Sequence, residues 1–302
     1  MRQNGLRWGL SLVLGAGPGA LASRAAEACA TCDSGDATLT VAGAEQPFSG
    51  RLRSALTLRY RTDVVGHAGV DQTDIRELRT DLSTAWAPRD DLFVIADVPL
   101  LYHRVQEANL AQTETIGLGD IELRGKWFVF RDRPFAPRWL IAVLGGMKFP
   151  TAPWLVDAQG QYLVLEAQPG SGSLDASVGP SLACFLGQFS GYASLLWVEP
   201  LTTREPLEPG RSVRGSMAIQ GQVTDWFGAR LASDLRWEQP SKEGGQTDPD
   251  SGGWVVLAGA DVLFSPATDV SVGLGARLPV LNRLHGAHAE GPMLHLALIR
   301  DW

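Results

Sequence analysis

The segment 117–130 alternates with a period of two. Ile121, Leu123, Trp127 and Val129 take one parity, and Asp120, Glu122, Arg124 and Lys126 take the other. Successive side chains of an extended strand point to opposite faces, so one side here is apolar and the other carries four charges. A face with that much charge must meet water. The strand therefore divides an aqueous medium from an apolar one.

Most other segments repeat the pattern. Leu52, Leu56, Leu58 and Tyr60 oppose Arg53, Thr57, Arg59 and Arg61. Leu78, Leu82 and Trp86 oppose Glu77, Arg79 and Asp81, and Phe227, Leu231, Leu235 and Trp237 oppose Arg230, Asp234 and Arg236. Strands are expected at 52–63, 75–87, 92–102, 117–129, 139–149, 174–186, 189–199, 213–222, 226–237, 253–264, 269–278 and 292–302. Strand 92–102 is more apolar on both faces, and Pro99 predicts a local distortion there because it removes a ladder donor. A polar loop is expected to run up to about residue 116. Short and long connections alternate, the longest being 150–173.

An even count of about twelve strands, each long enough to cross a bilayer at a tilt, fits an all-β fold. The expected fold is a transmembrane antiparallel β-barrel with short periplasmic turns and longer extracellular loops. A soluble exported sandwich or barrel would show the same alternation with its faces reversed. Two features favour the membrane reading. Aromatics gather at strand ends, among them Tyr60, Trp86, Trp127, Trp139, Trp197, Trp226, Trp254 and Phe264, as in interfacial girdles. An alternating strand also ends on Trp302. The lipid of an outer membrane in a Gram-negative bacterium is then the partner of the apolar rows.

The N-terminus has the layout of a signal peptide over 1–28. Arg2 and Arg7 form a charged start, Trp8 to Leu21 is small and apolar, and Ala26-Glu27-Ala28 offers a cleavage site. A lipid-modified Cys29 is the alternative, with Glu27 an unfavourable neighbour for it. Residues 29–50 are expected as a periplasmic segment and 51–302 as the barrel. Cys29 and Cys32 form a C-x-x-C that in an oxidising compartment forms a disulfide or docks a periplasmic protein partner. Two thiols are half of a zinc site, and Asp33 stands where haem attachment needs histidine. Cys184 sits alone on an apolar strand face and reads as packing.

A net charge of −7 argues against nucleic acid as a partner. No P-loop, dinucleotide fingerprint or G-x-S-x-G is present, so neither a cofactor nor an enzyme activity is expected. His295 points inward with its strand's minor row but has no serine beside it, and His285 and His288 lie in a loop.

Gly117-Leu118-Gly119-Asp120 opens one strand, and Gly146-Met147-Lys148-Phe149-Pro150-Thr151 closes the next. This pair of motifs resembles the outer-membrane barrels grouped with the meta-pathway of phenol degradation, distantly like channels for fatty acids and aromatic hydrocarbons. Ala152 stands where that group often has glycine. The resemblance implies passage of small, often apolar or aromatic, solutes.

With the charged rows inward, the candidate pore lining is Arg53, Arg59, Arg61, Arg79, Asp81, Asp97, Asp120, Glu122, Arg124, Lys126, Lys148, Arg214, Arg230, Asp234, Arg236, Asp261 and Arg277. Such charges either pair across the lumen into a rigid polar core or line a wet channel. The expected function is a channel for small solutes, with a non-conducting scaffold that docks a periplasmic partner as the alternative. The loop 150–173 is unusually apolar for its length, and Trp154, Leu155, Tyr162 and Leu163 are its candidate gate residues.

Overall fold

A computed structural model describes residues 48–67, 72–156, 160, 168–203, 207–243, 245–247 and 251–302. The expected signal peptide, Cys29, Cys32, Tyr162 and Leu163 lie outside the described residues. The strands are β1 (Leu52–Val65), β2 (Thr73–Arg89), β3 (Leu92–Gln106), β4 (Gln112–Leu118), β5 (Ile121–Arg131), β6 (Trp139–Phe149), β7 (Leu174–Leu186) and β8 (Phe189–Thr202). They continue with β9 (Leu207–Glu208), β10 (Ser212–Thr224), β11 (Phe227–Glu238), β12 (Lys242–Glu243), β13 (Gln246–Thr247), β14 (Gly253–Ala267), β15 (Val270–Leu284) and β16 (His288–Asp301).

The main sheet runs β2-β1-β16-β15-β14-β11-β10-β8-β7-β6-β5-β3-β4, with β2 also paired to β3. β3 therefore pairs with β2 on one side and with both β4 and β5 on the other. β4 and β5 are two parts of one interrupted strand, and the sheet closes as an antiparallel barrel of 12 strands. Closure joins β2 to β3, as a spanning sheet requires, while β4 pairs with β3 alone. The small β9, β12 and β13 form a separate sheet. Trp302 N–H donates to the Leu52 carbonyl at 2.9 Å, so both ends of the barrel meet at the rim that carries the short turns. That rim is called lower below.

The parity reading holds around the wall. Leu56, Leu58, Leu82, Leu123, Leu296 and Leu298 are exposed on the outside, while Arg53, Asp81, Asp97, Arg124, Arg230, Asp261 and Arg277 are buried inside. Trp86, Trp127, Trp139, Trp226 and Trp302 form an exposed aromatic row near the lower rim.

Two expectations need correction. Residues 103–116 are not a loop: β3 runs on to Gln106 and β4 begins at Gln112. Thr113 and Thr115 take the inward parity there beside exposed Gln112 and Glu114, so both faces are polar and the apolar signal disappears. The last strand likewise begins at His288, before Pro292, which falls where the β1–β16 register shifts between Arg61 and Asp63. A strand that rises above the bilayer has water on both sides and loses its alternation there.

Candidate substrate lumen and the break in its wall

The interruption between β4 and β5 originates in Pro99. The Pro99 carbonyl accepts the Gly119 N–H at 2.8 Å, so this edge of Pro99 faces the break, and proline has no N–H to return a bond. Leu100 pairs with Leu118, yet Asp97 pairs with Glu122, a slip of one residue between them. The slip reverses parity. Thr115 and Gly117 face inward on β4, whereas Glu122, Arg124 and Lys126 do so on β5.

The long loop closes over this break. A Cβ on Gly117 would lie 3.1 Å from Pro169, and one on Gly119 would lie 2.6 Å from Leu101 and 2.8 Å from Pro99. The two glycines thus let the loop's second limb rest on the luminal side of β4. Asp120 fastens it. Its Oδ1 accepts from Ala152 N–H at 3.1 Å, and its Oδ2 from Ser171 N–H at 2.9 Å and Ser171 Oγ at 3.2 Å. Lys148 Nζ donates to Ser171 Oγ at 2.5 Å and pairs with Asp175 at 2.5 Å. Thr151 Oγ1 accepts the Ile121 N–H at 2.9 Å, which satisfies a donor freed by the interruption.

Gln168 joins the two limbs. It accepts Leu155 N–H and donates to Leu155 O, both at 2.9 Å. Gly172 has φ of 68°, and a Cβ there would come within 2.6 Å of the Trp154 indole. Trp154 and Leu155 therefore sit in a fixed root of the loop.

Inside the barrel the lining changes with height. Near the lower rim it is apolar: Ala55, Ala85, Phe93, Ile95, Phe128, Leu140, Ala142, Ala183, Tyr192 and Ile299 belong to one buried cluster. Charged residues therefore form only part of the lining at this level. These strands place alanines and aromatic or aliphatic residues inward at their lower ends. Arg53 is buried at this level against Asp301, with Nη2–Oδ2 at 2.5 Å, and Lys126 Nζ lies 5.2 Å from the Phe128 ring centroid.

Beside and above this layer the charges pair. Asp261 receives Arg230 Nε at 2.5 Å and Arg277 Nη1 and Nη2 at 2.8 and 2.9 Å, with His295 Nε2 at 3.0 Å. Arg59 and Arg79 both bond Asp81, at 2.5 and 2.7 Å. Arg124 bonds Asp97 at 2.5 Å, and Ser83 donates to the same carboxylate. Carboxylates saturated by guanidinium forks satisfy the demand that buried charge be paired and hydrogen-bonded.

Higher still a cavity of about 350 Å³ opens. Ten of the predicted residues line it: Arg59, Arg61, Arg79, Asp81, Asp97, Glu122, Arg124, Arg214, Asp234 and Arg236. Arg53, Lys126, Arg230, Asp261 and Arg277 are buried in packed layers, and Asp120 and Lys148 sit at the loop root. Sequence reasoning missed Asp63 and Glu290, which also line the cavity, and His103, whose Nε2 lies 3.0 Å from Glu77. Asp63 and Glu290 flank the β1–β16 register shift, which a parity count does not follow. Leu196, Val198, Val255, Leu257 and Met293 give the cavity an apolar flank. His285 Nδ1 lies 3.1 Å from the Ser251 carbonyl oxygen. Cys184 faces outward in register with Trp139 and Gly191.

No protein-family model matches the chain, and no curated protein matches it in sequence. Solved structures do. The COG4313 outer membrane channel from Pseudomonas putida F1 superposes with a TM-score of 0.64 at 13% identity, over 89% of this chain and 99% of that one. The CymD monoaromatic hydrocarbon channel gives 0.46 at 10% identity, over 85% and 90%. The NanC porin gives 0.48 at 8% identity, over 81% and 98%. The first likeness identifies the fold as that of an outer-membrane β-barrel, in agreement with the apolar exterior and paired charges inside.

Proposed function

We propose that this barrel is an outer-membrane channel for small solutes, with apolar or aromatic molecules as its main class. The observation that carries the reading is the upper lumen. A cavity of about 350 Å³ combines paired charges with two apolar flanks, Leu196 and Val198 on β8 and Val255 and Leu257 on β14. Small-molecule sites are typically largely apolar, with a few placed polar groups. The motif resemblance to barrels grouped with the meta-pathway of phenol degradation supports the same solute class. The structurally similar COG4313 protein is described as an outer membrane channel, which supports the channel reading without naming a solute.

In this reading the buried apolar layer beneath the cavity is the barrier of a closed state, and the loop root at Trp154 and Leu155 is the gate that the outer solute meets. The test is flux. The full mature chain in liposomes is compared for uptake of toluene, phenol and glucose, with empty liposomes as reference. Aromatic uptake above the reference, with little glucose, supports the channel. Equal uptake by loaded and empty vesicles for all three, with no conductance in planar bilayers, overturns it in favour of a sealed scaffold.

A further inference from the structure

We propose that the upper lumen contains a binding site for a monocarboxylate with an apolar body, in which Arg214 takes the carboxylate. The proposal rests on the reading of the lumen as a solute path and narrows its solute class. Arg214 on β10 is in register with Leu196 on β8 and with Arg236 on β11, and Arg236 is in register with Val255 on β14. Leu196, Arg214, Arg236 and Val255 thus form one row across four strands, and all four line the cavity.

The two arginines in this row differ. Arg236 is paired with Glu290, and with Glu238 at 3.2 Å. Arg59, Arg61, Arg79 and Arg124, the other cations lining the cavity, each hold a carboxylate. Among the described residues, Arg214 is the lining cation with no carboxylate partner, and its side chain is exposed to the cavity.

A free guanidinium presents a planar fork that matches a carboxylate through two parallel hydrogen bonds. Asp234, Glu238 and Glu290 also line the cavity and would repel a second negative charge, so the geometry selects one carboxylate. Leu196 and Val255 are buried, and half-buried Leu257, next to Val255 on the inward face of β14, is the apolar surface that an inorganic anion would leave in water. An aromatic or short aliphatic body attached to the carboxylate covers Leu257 and gains from its burial. The ligand class is therefore a benzoate-like or short-chain monocarboxylate, held with its charge on Arg214 and its body against Leu257.

The test is equilibrium binding, which does not depend on flux. Fluorine NMR of 4-fluorobenzoate and of neutral 4-fluorobenzyl alcohol is recorded with the full mature barrel in detergent. The variants are R214Q and R214K, with the heat-dependent gel shift of folded barrels as a folding control. The expected result is 4-fluorobenzoate binding that weakens about tenfold or more in R214Q, the loss of one charge-assisted contact. R214K should fall between the two, and the alcohol should bind weakly and equally to all three. Equal 4-fluorobenzoate binding by folded R214Q, equal losses for acid and alcohol, or no binding to the parent barrel would each overturn the site. Binding without flux would instead keep the site and reject the channel.

Discussion

Gly275 has no side chain where Asp261 lays its carboxylate. The two are in register on β14 and β15, and a Cβ on Gly275 would overlap Asp261 Oδ1 and come within 2.6 Å of His295. The glycine is the gap through which one carboxylate reaches Arg230, Arg277 and His295 from three strands.

Two substitutions test how much this junction holds. Asp261→Asn keeps the shape but leaves Arg230 and Arg277 buried without their shared anion. It should destabilise the barrel by about 3–5 kcal/mol, the usual cost of orphaning one member of a buried ion pair. Gly275→Ala should cost about 1–3 kcal/mol by overpacking. Because both act on one junction, the double variant should lose less than the sum of the two. Urea unfolding in lipid vesicles, followed by tryptophan fluorescence, reads all three.

The outward rows make a separate prediction. Leu296 is exposed, in register with Leu58 on β1 and Leu274 on β15. Leu296→Arg should cost about 2–4 kcal/mol if the site lies near the bilayer midplane. Ile116→Arg, also exposed but on β4 above the break in the wall, should cost about 0–1 kcal/mol. Equal costs at the two positions in the same vesicle assay would contradict the proposed belt.

The layout of strands and faces was readable because alternation is a local property. The inward charges and outward leucines follow from parity alone. Parity was uninformative where both faces have the same polarity. Phe93 and Ile95 sit inward beside outward Val94, so β3 looked apolar throughout and the buried layer near the lower rim could not be separated from the lipid face. The Gly-x-Gly-Asp motif reads as the opening of a strand, and the structure places a break there. What it serves depends on Pro169 and Ser171, which lie about fifty residues further on and reach Gly117 and Asp120 only once the barrel has closed.

That closure can be measured. Asp120→Ala removes the acceptor for the Ala152 and Ser171 amides, while Pro99 and the slip in register remain. Each lost bond to a carboxylate is worth about 1.5–3 kcal/mol, so exchange at these two amides should rise by about tenfold or more. Exchange at the Arg53 and Thr57 amides across the barrel should not change. Hydrogen exchange read by mass spectrometry on overlapping peptides separates the two regions.

The turn between β5 and β6 predicts a pH effect outside the membrane. Asp132 Oδ1 accepts the N–H groups of Trp139 at 3.0 Å and Arg138 at 2.7 Å, and the Trp139 bond leads in holding the carboxyl below its ordinary value. A depressed acid stabilises the folded turn above its unfolded pKa and loses that contribution as pH falls through the folded one. The turn should therefore loosen only in acid, below the ordinary aspartate range. An Asp132→Asn barrel should show no such acid step when the two are compared by amide exchange at matched pH.

The apolar layer near the lower rim yields the prediction that bears most directly on transport. Phe128 packs edge-on against Phe93 with ring centroids 6.3 Å apart, and Tyr192 packs the same way against Phe185. Both Phe128 and Tyr192 belong to the buried cluster beneath the cavity. A constriction whose lining is mainly apolar disfavours water, so it opposes ion passage. Replacing Phe128 and Tyr192 together by alanine enlarges and wets the constriction. Single-channel conductance in planar bilayers should rise several-fold over the parent barrel. The charged cluster anchored on Asp261 should keep the folded gel shift intact. If current stays at the parent level in a folded double variant, the barrier lies elsewhere, and the loop root at Asp120 and Lys148 becomes the next position to open.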